Sequence, residues 1–433
     1  MLSLTLFALL ILSLLGNISG NFDENFYRKW IEKYQKISGN LTPPLKYKEW
    51  ISLANQHGLS YNPEDYDQIF KDLKPYKSQK WTVPKLKNLE SKLISMGVNV
   101  KGSDMEELKL KRLRWPFQNI LNYLESVLDP KINFYVITHF YDESIVAPAD
   151  DDQIRPYTDM EDLIKRCKAV RDVHKDYLDG NILLRAPSSF VAVPFDVPLF
   201  SVNRIKGFRD IILPSDRTGL GPYIFDYQTA IDSPVWEAKL KMAVFRGRTT
   251  GINFKKARAE HIPLTLSPRF KLAEMAIQQK EGKLTCSVPL DFGITEIWQC
   301  EENEEYVNEI TRQFPLVPVL DYDTQFKSKY LVVVDGNGWP DRIAFFLLSG
   351  SLLFLATVSD DWVINQCIPG IHYINVKPDL SDLVEKIEWA AQNDAEAKII
   401  AANGRELAQK QFSAKSMQVY NSLLFMEYQR LFQ

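Results

Sequence analysis

Four short apolar runs in the second half of the chain alternate with polar and helix-like segments, and this alternation constrains the fold more than any other feature. The runs lie at residues 243–245, 330–334, 352–355 and 371–376. Short apolar runs bounded by turn residues are typical of strands that are buried on both faces. Between the second and third runs, residues 339–348 have helical periodicity, with Pro340 in the first turn. Strands that alternate with helices predict a parallel α/β sheet.

The length of the chain and the spacing of its apolar residues indicate how it divides into segments. A single core stops growing at roughly 250–300 residues, so a chain of 433 residues is expected to form more than one domain. Residues 22–128 have helix-like spacing of apolar side chains, whereas apolar runs occur at 134–137 and 190–193. The C-terminal pattern is helical with an interruption at Asn403-Gly404. We predict a leader at 1–20, a helical extension at 21–130, α/β segments at 131–235 and 236–395, and a C-terminal helix at 396–433.

The N-terminal segment indicates the compartment. Residues 1–20 contain no charged side chain, and small residues follow the apolar stretch at 2–15, as in a secretory signal peptide. An uncleaved signal anchor is the alternative, and no later segment is apolar enough to span a bilayer. Either interpretation directs the chain to the secretory lumen or outside the cell. There Asn40, in the sequon Asn40-Leu41-Thr42, becomes an acceptor for N-glycosylation.

Composition argues against two kinds of ligand. The 52 Lys and Arg residues nearly balance the 55 Asp and Glu residues, so binding of nucleic acid through net charge is not expected. The four cysteines have no CxxC spacing and no paired histidines nearby, which argues against structural zinc. Acidic runs at 150–152 and 321–323 resemble metal-binding carboxylate pairs, but such runs are usually solvated loops.

Two segments combine glycines with basic or polar side chains directly after predicted strands. Their arginines, hydroxyls and tightly turning backbone suit an oxyanion such as a pyrophosphate. A solvated basic turn is the alternative for the first segment, and pairing of Arg342 with Asp341 is the alternative for the second. The glycines of the second segment do not form a GxGxxG motif, so a nicotinamide cofactor is not implied. The candidate ligand-binding residues are Arg246, Gly247, Arg248, Thr249 and Thr250 in the first segment, and Asp335, Gly336, Asn337, Gly338 and Arg342 in the second.

Three titratable side chains, His139, Asp142 and Glu143, follow the apolar run at 134–137. Ligands and catalytic groups of open α/β sheets gather at the carboxyl ends of the strands, so each is a candidate general base. Acidic residues are also ordinary loop formers, so their position alone leaves a structural role open.

Taken together, these segments resemble glycosyltransferase family 90, which includes the animal protein O-glucosyltransferases of the Rumi type and the fungal capsule-associated xylosyltransferases. The stretches that carry the resemblance keep their order and spacing along the chain. They lie at residues 198–201, 210–214, 245–251, 329–339, 347–351, 372–377, 379–383 and 389–394.

The resemblance implies a GT-B arrangement, in which two Rossmann-type domains face one another, the C-terminal domain binds most of a UDP-sugar, and the last helix crosses back. It also implies an inverting transfer whose base is an aspartate of the N-terminal domain. Asp142 occupies the matching place, with Glu143 and His139 as fallbacks. Arginines and backbone donors can stabilise the departing UDP, so no metal cofactor is expected. Which arginine contacts the diphosphate is left open, because Arg248 and then Thr249 stand where the animal motif has serine and then arginine.

The predicted function is therefore transfer of xylose or glucose from UDP-xylose or UDP-glucose to a glycan or glycoprotein in the lumen of the Golgi or endoplasmic reticulum, or after secretion. The alternative is a non-catalytic protein that binds a sugar nucleotide or a glycan on the same fold. The presence of both Arg342 and an acidic residue at position 142 favours the enzyme.

Overall fold

The computed structural model describes residues 22–104, 124–139, 144–151, 153, 155–157, 160–174, 192–214, 227–300 and 304–433. The predicted leader at 1–20 lies outside these ranges. The described helices are α1 (Glu24–Ser38), α2 (Tyr47–Gln56), α3 (Asp67–Leu73), α4 (Val83–Ser95), α5 (Leu124–Val127), α6 (Met160–Arg166), α7 (Lys168–His174), α8 (Tyr227–Ile231), α9 (Phe254–Ala259), α10 (Pro268–Lys280), α11 (Glu304–Gln313), α12 (Tyr322–Phe326), α13 (Ile343–Leu348), α14 (Leu383–Gln392), α15 (Asp394–Gln411) and α16 (Ala414–Gln429). The described strands are β1 (Val100–Asp104), β2 (Tyr135–His139), β3 (Leu199–Ser201), β4 (Asn203–Ile205), β5 (Ile211–Ile212), β6 (Leu240–Arg248), β7 (Leu290–Glu296), β8 (Ser328–Val334), β9 (Leu352–Ala356), β10 (Ser359–Asp361) and β11 (Ile374–Asn375).

The chain forms two compact units. Among the described residues, the helical unit comprises 22–86, 103–104, 124–135 and 414–433, and the sheet unit comprises 87–102 and the described parts of 136–413. The predicted α/β segments at 131–235 and 236–395 both fall mainly within the sheet unit. The structure thus confirms an α/β protein, whereas the boundary between these two segments and their GT-B pairing stay predictions.

The helical unit joins the first helices to the last one. Trp50 of α2 donates its indole N–H to the backbone oxygen of Val419 in α16 at 2.8 Å, and Tyr34 of α1 donates its hydroxyl to Glu427 Oε1 of α16 at 2.5 Å. Tyr34, Trp50 and Glu427 are all fully buried, and burial raises the pKa of the Glu427 carboxyl. Helices α1 to α4 occupy much of the described part of the predicted N-terminal extension, and α16 contributes to the same core. The extension as a domain stays a prediction.

Two local predictions were wrong. Strand β1 interrupts the extension that the sequence predicts as helical, because residues 100–104 pair with β2, a partner that local periodicity does not reveal. The predicted interruption at Asn403-Gly404 is absent, since α15 continues through both residues. Gly404 is instead required by a close approach, because a Cβ there would lie 2.5 Å from the backbone oxygen of His372.

The larger sheet of the sheet unit has five strands in the order β11-β9-β8-β6-β7, and every neighbouring pair is parallel. All four predicted strands of the second half belong to it, although the last shortens to Ile374–Asn375. The sequence did not predict β7, because Asp291 and Gly293 break its apolar run. Strand β7, the next in sequence after β6, pairs with one edge of β6, and β8 pairs with the opposite edge of β6. Strand order therefore reverses between β6 and β8, the place where ligands of open α/β sheets bind.

A smaller sheet has the order β1-β2-β3-β5, with β2, β3 and β5 parallel. The predicted strand at 190–193 is described only at its end, where Val193 forms an isolated bridge with Val146. Strands β4 and β10 pair antiparallel as a separate ribbon, with Asn203 opposite Asp361. This ribbon joins the chain that follows β3 to the chain that follows β9.

Asp210, just before β5, holds the turn that follows the candidate base segment. Its fully buried carboxylate accepts hydrogen bonds from the backbone N–H groups of Ile145 and Val146 and from the Ser201 hydroxyl, at 2.7–3.2 Å. Burial raises the pKa of this carboxyl, although the bonds it accepts oppose the rise. One side chain thus satisfies three donors in the interior.

Asp210→Ala should lower the free energy of unfolding by about 3–5 kcal/mol, because buried donors lose their acceptor. Urea denaturation followed by tryptophan fluorescence measures the change. Asp196→Ala is the control, since the Asp196 and Arg209 side chains are 32% and 39% exposed, and it should cost less than about 1 kcal/mol. Equal losses in the two variants would contradict the role of Asp210.

Candidate functional site

The loops that follow β6 and β8 meet at the point where the strand order reverses. The backbone N–H of Gly251 donates to Asn337 Oδ1 at 2.9 Å. Gly251 has a φ of +82°, and a Cβ at this position would overlap the backbone oxygen of Gly336. The Gly336 N–H donates to the Gly338 backbone oxygen at 3.1 Å, which closes the second loop on itself. The structure therefore brings the two predicted glycine-containing segments into direct contact.

Asp335 and Arg269 fix these loops in place. The buried Asp335 carboxylate accepts from the Thr357 hydroxyl at 2.5 Å and from the Val358 N–H at 2.8 Å, which ties the end of β8 to the end of β9. Arg269 of α10 donates to the backbone oxygens of Asp335 at 3.0 Å and Arg248 at 2.7 Å, and so ties the β8 loop to the β6 loop. The sequence did not single out Arg269, because no motif surrounds it and only the fold brings α10 to this edge.

The small residues of the loops leave room for these contacts. A Cβ at Gly336 would lie 2.6 Å from both Arg269 Nη2 and Thr250 Oγ1. A Cβ at Gly247 would lie 2.9 Å from the Phe245 ring. Thr250 is half-buried, and its hydroxyl lies beside the Gly336 backbone.

The three candidate arginines differ in their partners. Arg246 is buried and pairs with Asp291 at 2.7 Å, and Arg248 pairs with Glu296 at 2.8 Å. Both guanidinium charges are thus compensated by carboxylates of β7, and the Arg246 side chain in particular has a structural role. These contacts do not support the prediction that Arg246 binds the ligand through its side chain.

Arg342 has no such compensation. It is half-buried and donates to the backbone oxygen of Arg246 at 2.9 Å, and no carboxylate within the described ranges pairs with it. The alternative pairing with Asp341 is therefore not observed. Helix α13 begins later than predicted, at Ile343, because its first helical backbone bond runs from Phe346 N–H to Arg342 O. Arg342 stands at the N-cap position of α13, and its guanidinium lies 5.7 Å from the centre of the Phe346 ring.

The candidate bases are described only in part. His139 is the last residue of β2, is 3% exposed, and its Nδ1 lies 2.8 Å from the backbone oxygen of Asn99. Asp142 and Glu143 lie outside the described residues, so their roles stay predictions. The first described residue after them, Ser144, accepts the backbone N–H of Ile205 in β4 at 2.6 Å. Ser144 thus lies beside the β4–β10 ribbon.

The acidic runs have local structural partners. Asp321 caps α12 by accepting the Thr324 N–H at 2.8 Å, and Asp151 pairs with Arg166 at 2.8 Å. Over the part of the chain that the structure describes, no group of three or more His, Cys, Asp or Glu side chains is arranged to hold a metal ion. Metal independence stays a prediction that only an experiment can test.

Two features concern the secretory pathway. Asn40 is exposed directly after Gly39, the residue that caps α1, and it has a left-handed φ of 63°. An exposed sequon at a helix end is accessible to modification, and glycosylation there stays a prediction. Within the described ranges of the chain, no helix combines the length and hydrophobicity that crossing a membrane requires.

Comparison with known proteins supports the resemblance noted from the motifs. The sequence model of a family described as Glycosyl transferase family 90 matches residues 197–433. Protein O-glucosyltransferase 2 of Danio rerio is 29% identical over 54% of this chain and 43% of its own length. Protein O-glucosyltransferase 3 of Rattus norvegicus is 30% identical over 49% and 38%, and protein O-glucosyltransferase 1 of the same organism is 26% identical over 54% and 57%. The chain thus spans about half the length of these relatives, or less.

Gly251→Ala should destabilise the protein more than Gly282→Ala. Both glycines have left-handed φ angles, +82° and +72°, where a side chain costs roughly 1–2 kcal/mol. A methyl group at 251 also overlaps Gly336, whereas nothing lies within 4 Å of one at 282. The loss in urea denaturation should therefore be greater for Gly251→Ala by about 1–3 kcal/mol, the size of an overpacking penalty. The same loss for both glycines would show that the loops do not touch.

Proposed function

Since the chain belongs to glycosyltransferase family 90, we propose that it transfers glucose or xylose, with inversion, from a UDP-sugar to a hydroxyl group of a glycan or glycoprotein. The names of the relatives support glucose as a donor sugar, and the wider family resemblance keeps xylose in the proposal. The proposed location is the secretory lumen. The proposed arrangement is a GT-B pair formed by the parts of the sheet unit that carry the two parallel sheets.

The Arg342 guanidinium, which contacts the end of β6 and which no described carboxylate compensates, is the observation that carries the proposal. A glycosyl transfer leaves negative charge on the diphosphate of the departing UDP. A half-buried cation whose partners are a neutral carbonyl and the Phe346 ring favours such an anion more than a cation already paired with a carboxylate does. Backbone groups and the Thr250 hydroxyl lie in the two loops that touch here, and such groups can bind phosphate oxygens.

The chemistry requires one further group. In an inverting transfer, the Asp142 carboxylate takes the proton of the acceptor hydroxyl while the hydroxyl oxygen forms a bond to the anomeric carbon. The bond from that carbon to the UDP oxygen breaks on the opposite face. Because arginine and backbone donors neutralise the leaving group, no divalent ion is needed in this mechanism.

Arg342→Ala should weaken UDP binding by about 10- to 100-fold, because it removes charge-assisted hydrogen bonds. Arg342→Lys should restore binding only in part, since lysine keeps the charge but cannot make bidentate contacts. Calorimetry with UDP measures both effects. Arg312→Ala is the control, because Arg312 also donates to a backbone oxygen, that of Asn308, but from the exposed surface of α11. Unchanged UDP affinity in Arg342→Ala would remove this residue from the site.

Asp142→Asn should reduce UDP release by at least about 100-fold and leave UDP affinity nearly unchanged, because it removes the proton acceptor while keeping the side-chain size. The assay measures UDP released from UDP-glucose and UDP-xylose in the presence of sugar acceptors. Near-normal turnover would move the role to Glu143 or His139.

Two further arms of the assay separate the rival interpretations. Excess EDTA should leave most activity intact, whereas complete loss that is reversed by Mn²⁺ or Mg²⁺ would indicate a metal that bridges the phosphates. A wild-type protein that binds UDP but releases none from any UDP-sugar and acceptor would be a non-catalytic binding protein.

A further inference from the structure

Four lysines lie close together in the helical unit, between the end of α3 and the first turn of α4. Residues 74–86 contain Lys74, Lys77, Lys80 and Lys85 and no Asp or Glu, in a chain whose charges otherwise nearly balance. Among the residues that the structure describes, no carboxylate forms an ion pair with any of the four. The segment therefore carries a local excess of positive charge.

Trp81 fixes the backbone of this segment against the turn that follows α16. Its backbone N–H donates to the Leu431 backbone oxygen at 3.0 Å, and its indole N–H donates to the Tyr76 backbone oxygen at 2.8 Å. Trp81 and Tyr76 are 1% and 0% exposed, so both rings belong to the core. Exposed lysines are common on protein surfaces. These four differ because buried aromatic residues hold the backbone from which they project.

The four lysines belong to one surface. Lys74 and Lys77 are three residues apart across the 3₁₀ turn that begins at Lys74, a spacing at which side chains lie above one another. Lys77 and Lys80 line one cleft. Lys85 donates to Gln79 Oε1 at 2.6 Å, and Gln79 lines the same cleft. The positive charges are thus grouped around a concave feature.

This cleft has a volume of about 390 Å³ and lies between residues 77–80 and the end of α16. Arg430 and Glu427 also line it. Glu427 is fully buried, and its Oε1 accepts the Tyr34 hydroxyl. Its Oε2 accepts no hydrogen bond from any described residue, and the nearest paired cation, Arg430 Nε, is 3.9 Å away. The cleft therefore combines a net positive lining with a buried oxygen that lacks a donor.

These groups suit a ligand that carries both an anionic group and hydroxyl groups. Lys77, Lys80 and Arg430 can bind a sulfate or carboxylate, because hydrogen bonds between ionised partners are the strong ones. A hydroxyl of the same ligand can donate to Glu427, which removes the cost of the unpaired buried oxygen. The rings of Tyr76 and Trp81 are buried, so this segment offers no aromatic face on which a nucleic-acid base could stack.

We propose that this cleft binds an acidic saccharide, a sugar that bears a sulfate or carboxylate group, through Lys77, Lys80 and Arg430, with a sugar hydroxyl donating to Glu427. The helical unit alone forms the cleft, whereas the proposed transfer uses residues of the sheet unit. The inference therefore goes beyond the proposed function and does not depend on it.

The test measures binding of a fluorescent heparin hexasaccharide, which is sulfated, and of a galacturonate hexamer, which is carboxylated, by fluorescence anisotropy at one salt concentration. The double variant Lys77→Ala/Lys80→Ala should weaken binding of the preferred saccharide about 3- to 30-fold, because two solvent-screened ionic contacts are lost. A polyphosphate of matched charge should bind more weakly than that saccharide, since it has no sugar hydroxyl for Glu427.

Lys280→Ala/Lys283→Ala is the matched control. It removes the same charge from exposed positions at and just after the end of α10, and it should leave saccharide affinity nearly unchanged. Urea denaturation of both double variants should match the wild type, because exposed lysines without an essential partner contribute little to stability.

Four results would overturn the inference. The wild-type protein could bind neither saccharide, or the two double variants could lose affinity equally, which would show a response to net charge alone. Polyphosphate could bind as tightly as the preferred saccharide, which would show that sugar is not recognised. Tighter binding to phosphatidylserine vesicles, lost in Lys77→Ala/Lys80→Ala, would assign the surface to a membrane. None of these readouts uses UDP-sugar turnover, so a failure of the proposed transfer would be seen separately.

Discussion

The backbone contact between Gly251 and Gly336 is the constraint on which the rest of the site depends. It arises because β6 and β8, neighbours in the parallel sheet, end at the same edge, so the loops that follow them emerge side by side. Side chains on either glycine would separate the loops. Asp335 and Arg269 then fix the contact from both sides with hydrogen bonds to backbone and hydroxyl groups.

The carboxylates of β7 distinguish the candidate arginines by pairing with two of them. Asp291 and Glu296 compensate Arg246 and Arg248, so these two arginines stabilise the edge of the sheet. Arg342 contacts a neutral carbonyl and the Phe346 ring, and no described carboxylate compensates its charge. Arg248 makes a second contact as well. While its Nε pairs with Glu296, its guanidinium lies 4.5 Å from the centre of the Trp298 indole ring.

In the helical unit, helix α16 shares a core with α1 and α2. Glu427 is fully buried in α16, and its carboxylate accepts a hydrogen bond from Tyr34. A buried carboxyl costs free energy unless such partners are present, so the pairing of α1 with α16 is specific in register as well as hydrophobic. The sheet unit, in contrast, is held mainly by apolar strands buried on both faces, as parallel sheets require.

The sequence by itself determined the α/β class, four strands of the larger sheet and the family, because apolar runs and turn motifs are local signals. It also identified both loops of the candidate site. Only the tertiary structure showed that these loops touch, that Arg269 joins them, and that Arg246 and Arg248 are paired while Arg342 is not. It also revealed β1 and β7 and the continuous α15. These features depend on contacts between residues that are distant in sequence. Such contacts form only when the fold brings the two elements together, and a local sequence pattern carries no information about that partner.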